Sequence, residues 1–338
     1  MRLGFLRTGR LICALLALAL LLCACQKKDE PNPNETTATP YYTVTFDVGG
    51  GEPIADQVVP SGSFLNEPTT PRREGWVFGG WVEEYAGVWA FSESVVERDM
   101  TLVATWLSPD TVFAFEILGD AEAIRLTALE QTVKNLEIPS KINGIPVTEI
   151  ADEVFAELSP AKVARIWLPE SIRAVGTGAF RDAVGVKIEF DTAAALVSVG
   201  EDAFLNCNGL AAVRFDESMT ELSMGSFSGT SLRQITLPSA ISVIPENAFV
   251  GCAALASVTM SSGVTRVEDS AFYGCSSLRA LYFYGDADQL DSLIGQGIAN
   301  RNDALVQAVG YLYSESAPDV EGKYGFWYFD ENDAIKIW

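Results

Sequence analysis

The sequence predicts a mainly β protein in which a solenoid of stacked coils, each closed by a short helical turn, follows a small β module. The first observation is a ladder of six phenylalanines spaced 22 to 25 residues apart: Phe155, Phe180, Phe204, Phe227, Phe249 and Phe272. The second is that every Phe has one apolar residue five positions before it and another eight positions before it. Because one such unit cannot bury its own apolar face, this period predicts neighbours that stack into a continuous core.

The composition excludes several classes of function. The chain has 338 residues, which favours more than one folded unit, and a formal net charge of −22. That charge argues against nucleic acid as a partner, because nucleic-acid binding needs clustered Lys and Arg. The chain has no histidine, so Ser-His-Asp and Cys-His catalysis and zinc sites with imidazole ligands are excluded. Catalysis by a pair of carboxylates is not excluded by composition.

The N-terminus has the pattern of an export signal. Residues 1–24 have three arginines within the first ten positions, followed by an apolar run from Leu11 to Leu22. This run is too short to span a membrane. The run ends in Leu-Cys-Ala-Cys, which resembles the lipobox of bacterial lipoproteins and implies a lipid-anchored Cys25 on the extracellular face of the cell membrane. An ordinary secretory signal is the alternative. Residues 25–40 are polar and proline-bearing, which predicts a flexible tether.

Residues 41–108 are predicted to form the small β module. They contain the motifs VTFDVGGG, EGWVFGGW and TLVATW in that order, and this order resembles the internalin B-repeat. The resemblance implies a β-grasp-like fold used for spacing or adhesion at the surface, without catalysis. Trp76, Trp81 and Trp106 are expected in the core of this module, with sugar stacking as the alternative role.

Residues 112–285 are predicted to form the solenoid together with its N-terminal cap. The cap is a strand pair, Phe113 to Leu118 and Ala123 to Thr127, joined at Gly119-Asp120. Each following coil has two apolar residues spaced two apart, the spacing that places both on one face of a strand. These pairs are Leu136 and Ile138, Ile166 and Leu168, Ile188 and Phe190, Val213 and Phe215, Ile235 and Leu237, Val258 and Met260, and Leu281 and Phe283.

The coils resemble the BspA-type leucine-rich repeat of bacterial surface proteins. The pattern LPxxVTxIxxxAFxxCxxLxxI is nearly intact from Leu237 to Val258. The resemblance implies a leucine-rich-repeat solenoid, and residues 286–338 look like the C-terminal cap of such proteins. Cys207, Cys252 and Cys275 each follow a ladder Phe by three residues. Buried free thiols are favoured there, and a disulfide between Cys252 and Cys275 is the alternative.

The residue between the two members of each apolar pair is expected to point outward, with one strand per coil. Stacking then produces one row: Glu137, Trp167, Glu189, Arg214, Thr236, Thr259 and Tyr282. Trp167, Arg214 and Tyr282 are of the types enriched at binding hot spots, so they are the candidate ligand-binding residues. The alternative is an ordinary solvated sheet face.

The sequence therefore favours a non-enzymatic surface lipoprotein that binds an extracellular protein or matrix ligand, with no metal or other cofactor. A structural spacer or carbohydrate-binding protein is the first alternative. A glycan hydrolase is the second, and its nearest candidate carboxylates are the runs Glu83-Glu84 and Asp330-Glu331. Adjacent residues on a strand point apart, which argues against either run as a catalytic pair.

Overall fold

The computed structural model describes residues 39–84, 87–318, 323–332 and 334–338. The chain divides into two units, residues 1–41 and residues 42–338. The predicted signal peptide, Cys25 and the tether up to residue 38 lie outside the described residues, so their assignments stay predictions. All strands and helices of the described residues lie in the second unit, except that the first strand begins at Tyr41. In the described ranges, no helix combines the length and the apolar character of a membrane span.

The N-terminal module is a five-stranded sheet with a small side pair. Its strands are β1 Tyr41–Asp47, β2 Gln57–Pro60, β3 Ser63–Phe64, β4 Val77–Glu83, β5 Gly87–Val88, β6 Val95–Val96 and β7 Met100–Leu107. The sheet order is β2-β1-β7-β4-β5, with β1 and β7 parallel, and β3 pairs with β6. Trp81 is buried against Phe46 and Phe78, as expected. The expectation for Trp76 is wrong, because its side chain is 38% exposed.

The module continues into the solenoid through a short helix, α1 Pro109–Val112, whose Val112 is fully buried. The predicted cap pair follows as β8 Phe113–Leu118 and β9 Ala123–Leu129, which are antiparallel. The coils then contain β10 Asn135–Glu137, β11 Lys141–Ile142, β12 Ile145–Ile150, β13 Arg165–Leu168, β14 Ala174–Val175, β15 Lys187–Phe190, β16 Ser198–Val199, β17 Gln234–Thr236, β18 Val243–Ile244, β19 Ser257–Met260, β20 Arg266–Val267 and β21 Ala280–Phe283.

The expectation of one strand per coil is wrong, because most coils have two. The predicted apolar pairs form one parallel row, β10-β13-β15 and then β17-β19-β21. A second row, β9-β12-β14-β16 and then β18-β20, continues from the cap strand β9 through the apolar residue five positions before five of the six ladder Phe residues, Leu222 before Phe227 being the exception. That segment is also extended and bonds to the equivalent segment of the next coil, for example Val175 beside Val199. The fold is otherwise the predicted one, mainly β with stacked coils.

The phenylalanine ladder is the internal spine of the solenoid. All six rings are fully buried, and successive ring centres are 5.0 to 5.8 Å apart with stacked planes. The backbone amide of each Phe donates to the carbonyl one residue before the next ladder Phe, as Phe249 does to Ala271 at 2.9 Å. The last amide, of Phe272, has no further coil and donates instead to the Asn302 side chain at 2.7 Å.

The three cysteines of the coils are buried free thiols, as favoured from the sequence. Each Sγ donates to the carbonyl of a ladder Phe in the preceding part of the stack, for example Cys207 to Phe180 at 2.8 Å and Cys275 to Phe249 at 3.1 Å. Burial raises the pKa of Cys207 to about 12. These thiols therefore act as small core residues that hold a backbone carbonyl.

The main strand row is interrupted at the fourth coil, where the predicted strand over Val213 and Phe215 does not form. The loop after β15 is two residues longer than the equivalent loop between Leu168 and Ile172. It therefore places Leu196 beside Phe215, with Leu196 donating to the Arg214 carbonyl at 2.9 Å. Beside β15 the fourth coil forms only an isolated bridge between Ile188 and Leu210, and residues 211–214 are not part of a strand.

The C-terminal segment covers the last coil and lengthens its sheet. Helix α2, Ala287–Ala299, begins at a capping box between Asp286 and Gln289, and α3 spans Asp303–Gln307. Strands β22 Val309–Tyr313 and β23 Gly325–Phe329 add to β21 in parallel, and β24 Ile335–Ile337 pairs antiparallel to β23. The main strand face thus continues beyond the repeats.

Candidate functional site

The structure separates the three predicted ligand-binding residues. Trp167 lies on β13, Arg214 in the interrupted fourth coil and Tyr282 on β21. Trp167 and Tyr282 are five strand positions apart, which at strand spacing is roughly 24 Å. The row therefore contains three different environments rather than one cluster.

The N-terminal end of the row is covered by the β module. The Arg72 guanidinium lies over the Trp167 ring, 3.6 Å from its centre, and its Nε is 3.0 Å from Glu137 Oε2. Glu137 also pairs with Arg165 at 3.1 Å and is only 7% exposed. Burial raises the pKa of Glu137, while the two guanidinium groups oppose the rise. Sequence reasoning missed this contact because Arg72 precedes Glu137 by 65 residues.

Arg214 lies at the edge of an open pit in the sheet. Its Nη1 donates to the Thr192 carbonyl at 2.6 Å, across the interruption. The pit has a volume of about 500 Å³, with Ile188, Phe190 and Val213 among its apolar lining. The longer loop after β15 is the physical cause of the pit, and the repeat pattern alone did not indicate it.

Tyr282 belongs to a cluster of six aromatic side chains, which we call the aromatic face: Tyr282, Tyr284, Tyr311, Tyr313, Trp327 and Phe329. Trp327 is fully buried at its centre. Its ring centre is 5.4 Å from that of Tyr282, 5.1 Å from that of Tyr313 and 5.2 Å from that of Phe329. Tyr284 and Phe329 are 42% and 40% exposed, so the cluster presents an apolar surface to solvent.

Strand register produces the aromatic face. Tyr282 pairs with Tyr311 across β21 and β22, and Tyr313 pairs with Trp327 across β22 and β23, so side chains two apart fall on one side. Tyr311 is opposite Gly325, where a Cβ would come within 2.6 Å of the tyrosine ring. A larger residue than glycine would therefore displace Tyr311.

Two properties of the aromatic face favour contact with a ligand. Burial raises the pKa of Tyr282 and of Tyr284, so both phenols are neutral at physiological pH. Trp327 Nε1 is buried with no hydrogen-bond partner in the described ranges, and its ring meets that of Tyr284 edge-on at 5.0 Å. A neutral aromatic surface on a continuous sheet can bury apolar area without displacing ordered charges.

The two acidic runs hold local structure. Glu83 forms an ion pair with Arg98. Asp330 accepts backbone hydrogen bonds from Ala334 at 3.0 Å and Asn332 at 2.9 Å, and these lower its pKa.

Comparison with known families identifies both repeat types. Residues 186–294 match the BspA type leucine rich repeat region in six copies. Residues 42–105 match the Listeria-Bacteroides repeat domain. These matches confirm the two resemblances found in the sequence, so the chain carries BspA-type leucine-rich repeats behind a Listeria-Bacteroides repeat.

Two relatives from Evansella cellulosilytica, both provisionally named as membrane proteins and one as Gly-rich, are similar over short segments. Identity is 33% over 89 residues and 37% over 83 residues, or 26% and 24% of this chain. The matched segments span only 13% and 10% of the relatives' own lengths.

Solved structures of bacterial leucine-rich repeat proteins are also similar. The T. pallidum leucine rich repeat protein is 29% identical, with a TM-score of 0.45, 52% of this chain covered and 80% of the other. A leucine rich cell surface protein from Faecalibacterium prausnitzii is 26% identical, with a TM-score of 0.35, 53% of this chain covered and 40% of the other.

Proposed function

We propose that this protein is a non-enzymatic bacterial cell-surface protein that binds a protein ligand on its aromatic face. The observation that carries the proposal is the aromatic face itself, with a buried Trp327 surrounded by partly exposed Tyr284, Tyr313 and Phe329. Tyrosine and tryptophan dominate the hot spots of protein interfaces. Hydrogen-bonded strands fix these rings in advance, which lowers the entropy lost on binding.

The proposal ranks the three ligand-binding residues that the sequence predicted. Tyr282 stays a candidate, since it stacks on Tyr311 with ring centres 5.5 Å apart. Arg214 stays a candidate as a neighbour of the pit. Trp167 is the weakest of the three, because Arg72 covers its ring.

Binding should be measured by biolayer interferometry with the full chain against immobilised fibronectin, laminin, collagen and fibrinogen. We expect at least one of these to bind, and Tyr311→Ser combined with Tyr284→Ser to weaken that binding by at least about tenfold, or about 1.4 kcal/mol. Tyr273→Ser is the matched control, because this 55% exposed tyrosine lies in a turn away from the aromatic face.

Equal loss in the control variant, or unchanged binding by the double variant, would place the ligand elsewhere. Binding to a glycan array without binding to any of the four proteins would favour the carbohydrate-binding alternative. No binding in either assay would favour a structural spacer.

We also propose that Cys25 carries the lipid anchor. The support is the Leu-Cys-Ala-Cys sequence directly after the apolar run. Metabolic labelling with an alkyne-bearing palmitate analogue should label the wild-type chain, and Cys25→Ser should abolish the label and release the protein from cells. Cys23→Ser is the matched control and should keep the label. Labelling that persists in Cys25→Ser would refute the assignment.

A further inference from the structure

A second candidate site lies where the β module meets the first coils. We call it the Trp notch, and its lining includes Arg73, Trp76, Trp106, Glu137, Ser140 and Trp167. Its volume is about 280 Å³, close to the lower limit of typical ligand pockets. The notch is separate from the aromatic face, and its function does not depend on the function proposed for that face.

Arg73 supplies the charge of the Trp notch. Its guanidinium carbon is 4.8 Å from the centre of the Trp76 ring and 5.9 Å from that of Trp106, and the residue is half-buried. None of the hydrogen bonds or ion pairs among the described residues involves its guanidinium, although a guanidinium has five N–H donors. The neighbouring Arg72, in contrast, is neutralised by Glu137.

The carboxylates in the lining do not neutralise Arg73. Glu137 is held by Arg72 and Arg165 at 3.0 and 3.1 Å. Glu74 also lines the notch but is exposed and lies beyond ion-pair distance of Arg73. A half-buried, permanently charged group fixed between two indole rings is therefore complementary to an anion that enters from solvent.

The indole walls of the Trp notch favour a ligand that contains a ring with an apolar face. Trp76 is 38% exposed, with the Arg73 guanidinium over one face of its ring, and none of the hydrogen bonds among the described residues involves its Nε1. The C–H face of a pyranose can lie on the exposed part of this indole, and Ser140 and Glu74 of the same lining are the candidate partners for the sugar hydroxyls.

We propose that the Trp notch binds one residue of a carboxylate-bearing saccharide, with the carboxylate on Arg73 and the sugar ring on Trp76. A bidentate guanidinium-carboxylate pair orients the sugar, and the notch has room for about one ring. An acidic peptide would satisfy Arg73 but would not use the apolar wall, so it is the competing ligand in the test.

The test is saturation-transfer NMR and isothermal calorimetry with the full chain at physiological salt. The probes are methyl β-D-glucuronide, N-acetylneuraminic acid, the neutral methyl β-D-glucoside and an Asp-Glu hexapeptide. We expect at least one of the acidic sugars to bind at least about tenfold more tightly than the glucoside and the hexapeptide, with saturation transfer to the ring C–H protons.

Arg73→Gln should weaken binding of the acidic sugar by at least about tenfold, and Trp76→Leu by a similar factor. Arg233→Gln is the matched control, because this arginine is exposed on a distant coil. Arg73→Lys keeps the charge and should restore part of the affinity, and circular dichroism melts check that each variant folds. Failure of both acidic sugars to bind more tightly than the glucoside, retained affinity in Arg73→Gln, preference for the hexapeptide, or no saturation transfer from either acidic sugar would each overturn the proposal.

Discussion

Replacing Ser226 with alanine should stabilise the solenoid. Ser226 directly precedes the ladder residue Phe227 and is fully buried, and its Oγ has no hydrogen-bond partner among the residues that the structure describes. Alanine occupies the equivalent buried position in four other coils: Ala179, Ala203, Ala248 and Ala271. The backbone carbonyl of Ser226 accepts from Phe204 at 2.9 Å, and this bond does not depend on the side chain. The substitution therefore removes only a desolvated hydroxyl.

The magnitude follows from the cost of burying an unpaired polar group, about 1–3 kcal/mol. Alanine leaves a space smaller than one methyl group, so little cavity cost opposes this gain. We expect the free energy of unfolding to rise by about 1–2 kcal/mol, which for a folded unit of this size raises the melting temperature by about 2–3 °C.

Urea unfolding monitored by circular dichroism measures the free energy of unfolding, and differential scanning calorimetry measures the melting temperature. Ser228→Ala is the matched control, because Ser228 is also buried, at 6% exposure, but its Oγ donates to the Val250 carbonyl at 3.3 Å. That variant should lose about 0.5–1.5 kcal/mol. Lower stability in Ser226→Ala than in the wild type would refute the reasoning and imply a hidden partner for the hydroxyl.

Three further predictions concern the ends and the interior of the stack. Asn302→Ala should cost about 2–4 kcal/mol, because the Phe272 amide and a backbone carbonyl lose their partners, and hydrogen exchange should quicken in the last coil first. Arg72→Ala should cost about 1–2 kcal/mol in urea unfolding, because Glu137 loses one of its two guanidinium partners and keeps Arg165, and less in a chain that already carries Glu137→Gln. The Cys207 thiol should resist DTNB in the folded protein. The pKa of this thiol rises from 9.0 to about 12 on folding, so above pH 9 the unfolded chain binds fewer protons than the folded one. The free energy of unfolding should therefore fall as the pH rises from about 9 to 12. The fall should be smaller in Cys207→Ala.

The repeat architecture was predictable because every coil repeats the same sequence pattern. A ladder Phe with two apolar residues at fixed distances occurs six times, so a local irregularity such as Thr230 in place of a cysteine does not hide the pattern. The second strand row was missed because its strands are only two residues long in most coils. Such a strand, for example β14, has no alternating pattern of its own and exists only through its neighbours.

The candidate sites were less predictable because they depend on contacts between distant segments. Tyr282 was found from its place in the repeat, whereas Tyr311 and Trp327 lie in the tail beyond the last coil. Only the register of β21, β22 and β23 places these three rings on one face. The Trp notch likewise joins residues 71–76 to residues 137–140 and Trp167, and no sequence spacing relates them.

The size of the aromatic face sets a condition on its ligand. Three strands at about 4.8 Å and four residues at about 3.3 Å give a flat area of only roughly 200 Å². A specific protein interface covers about 800 Å² on each partner. A protein ligand centred on Trp327 must therefore extend beyond the face, and we expect it to run along β19 and β17 toward the interruption of the sheet. There the buried Thr259 offers little side-chain contact, and the next available surface is the pit beside Arg214. A ligand of ordinary footprint would thus connect Tyr282 with Arg214, while Trp167 stays under the β module.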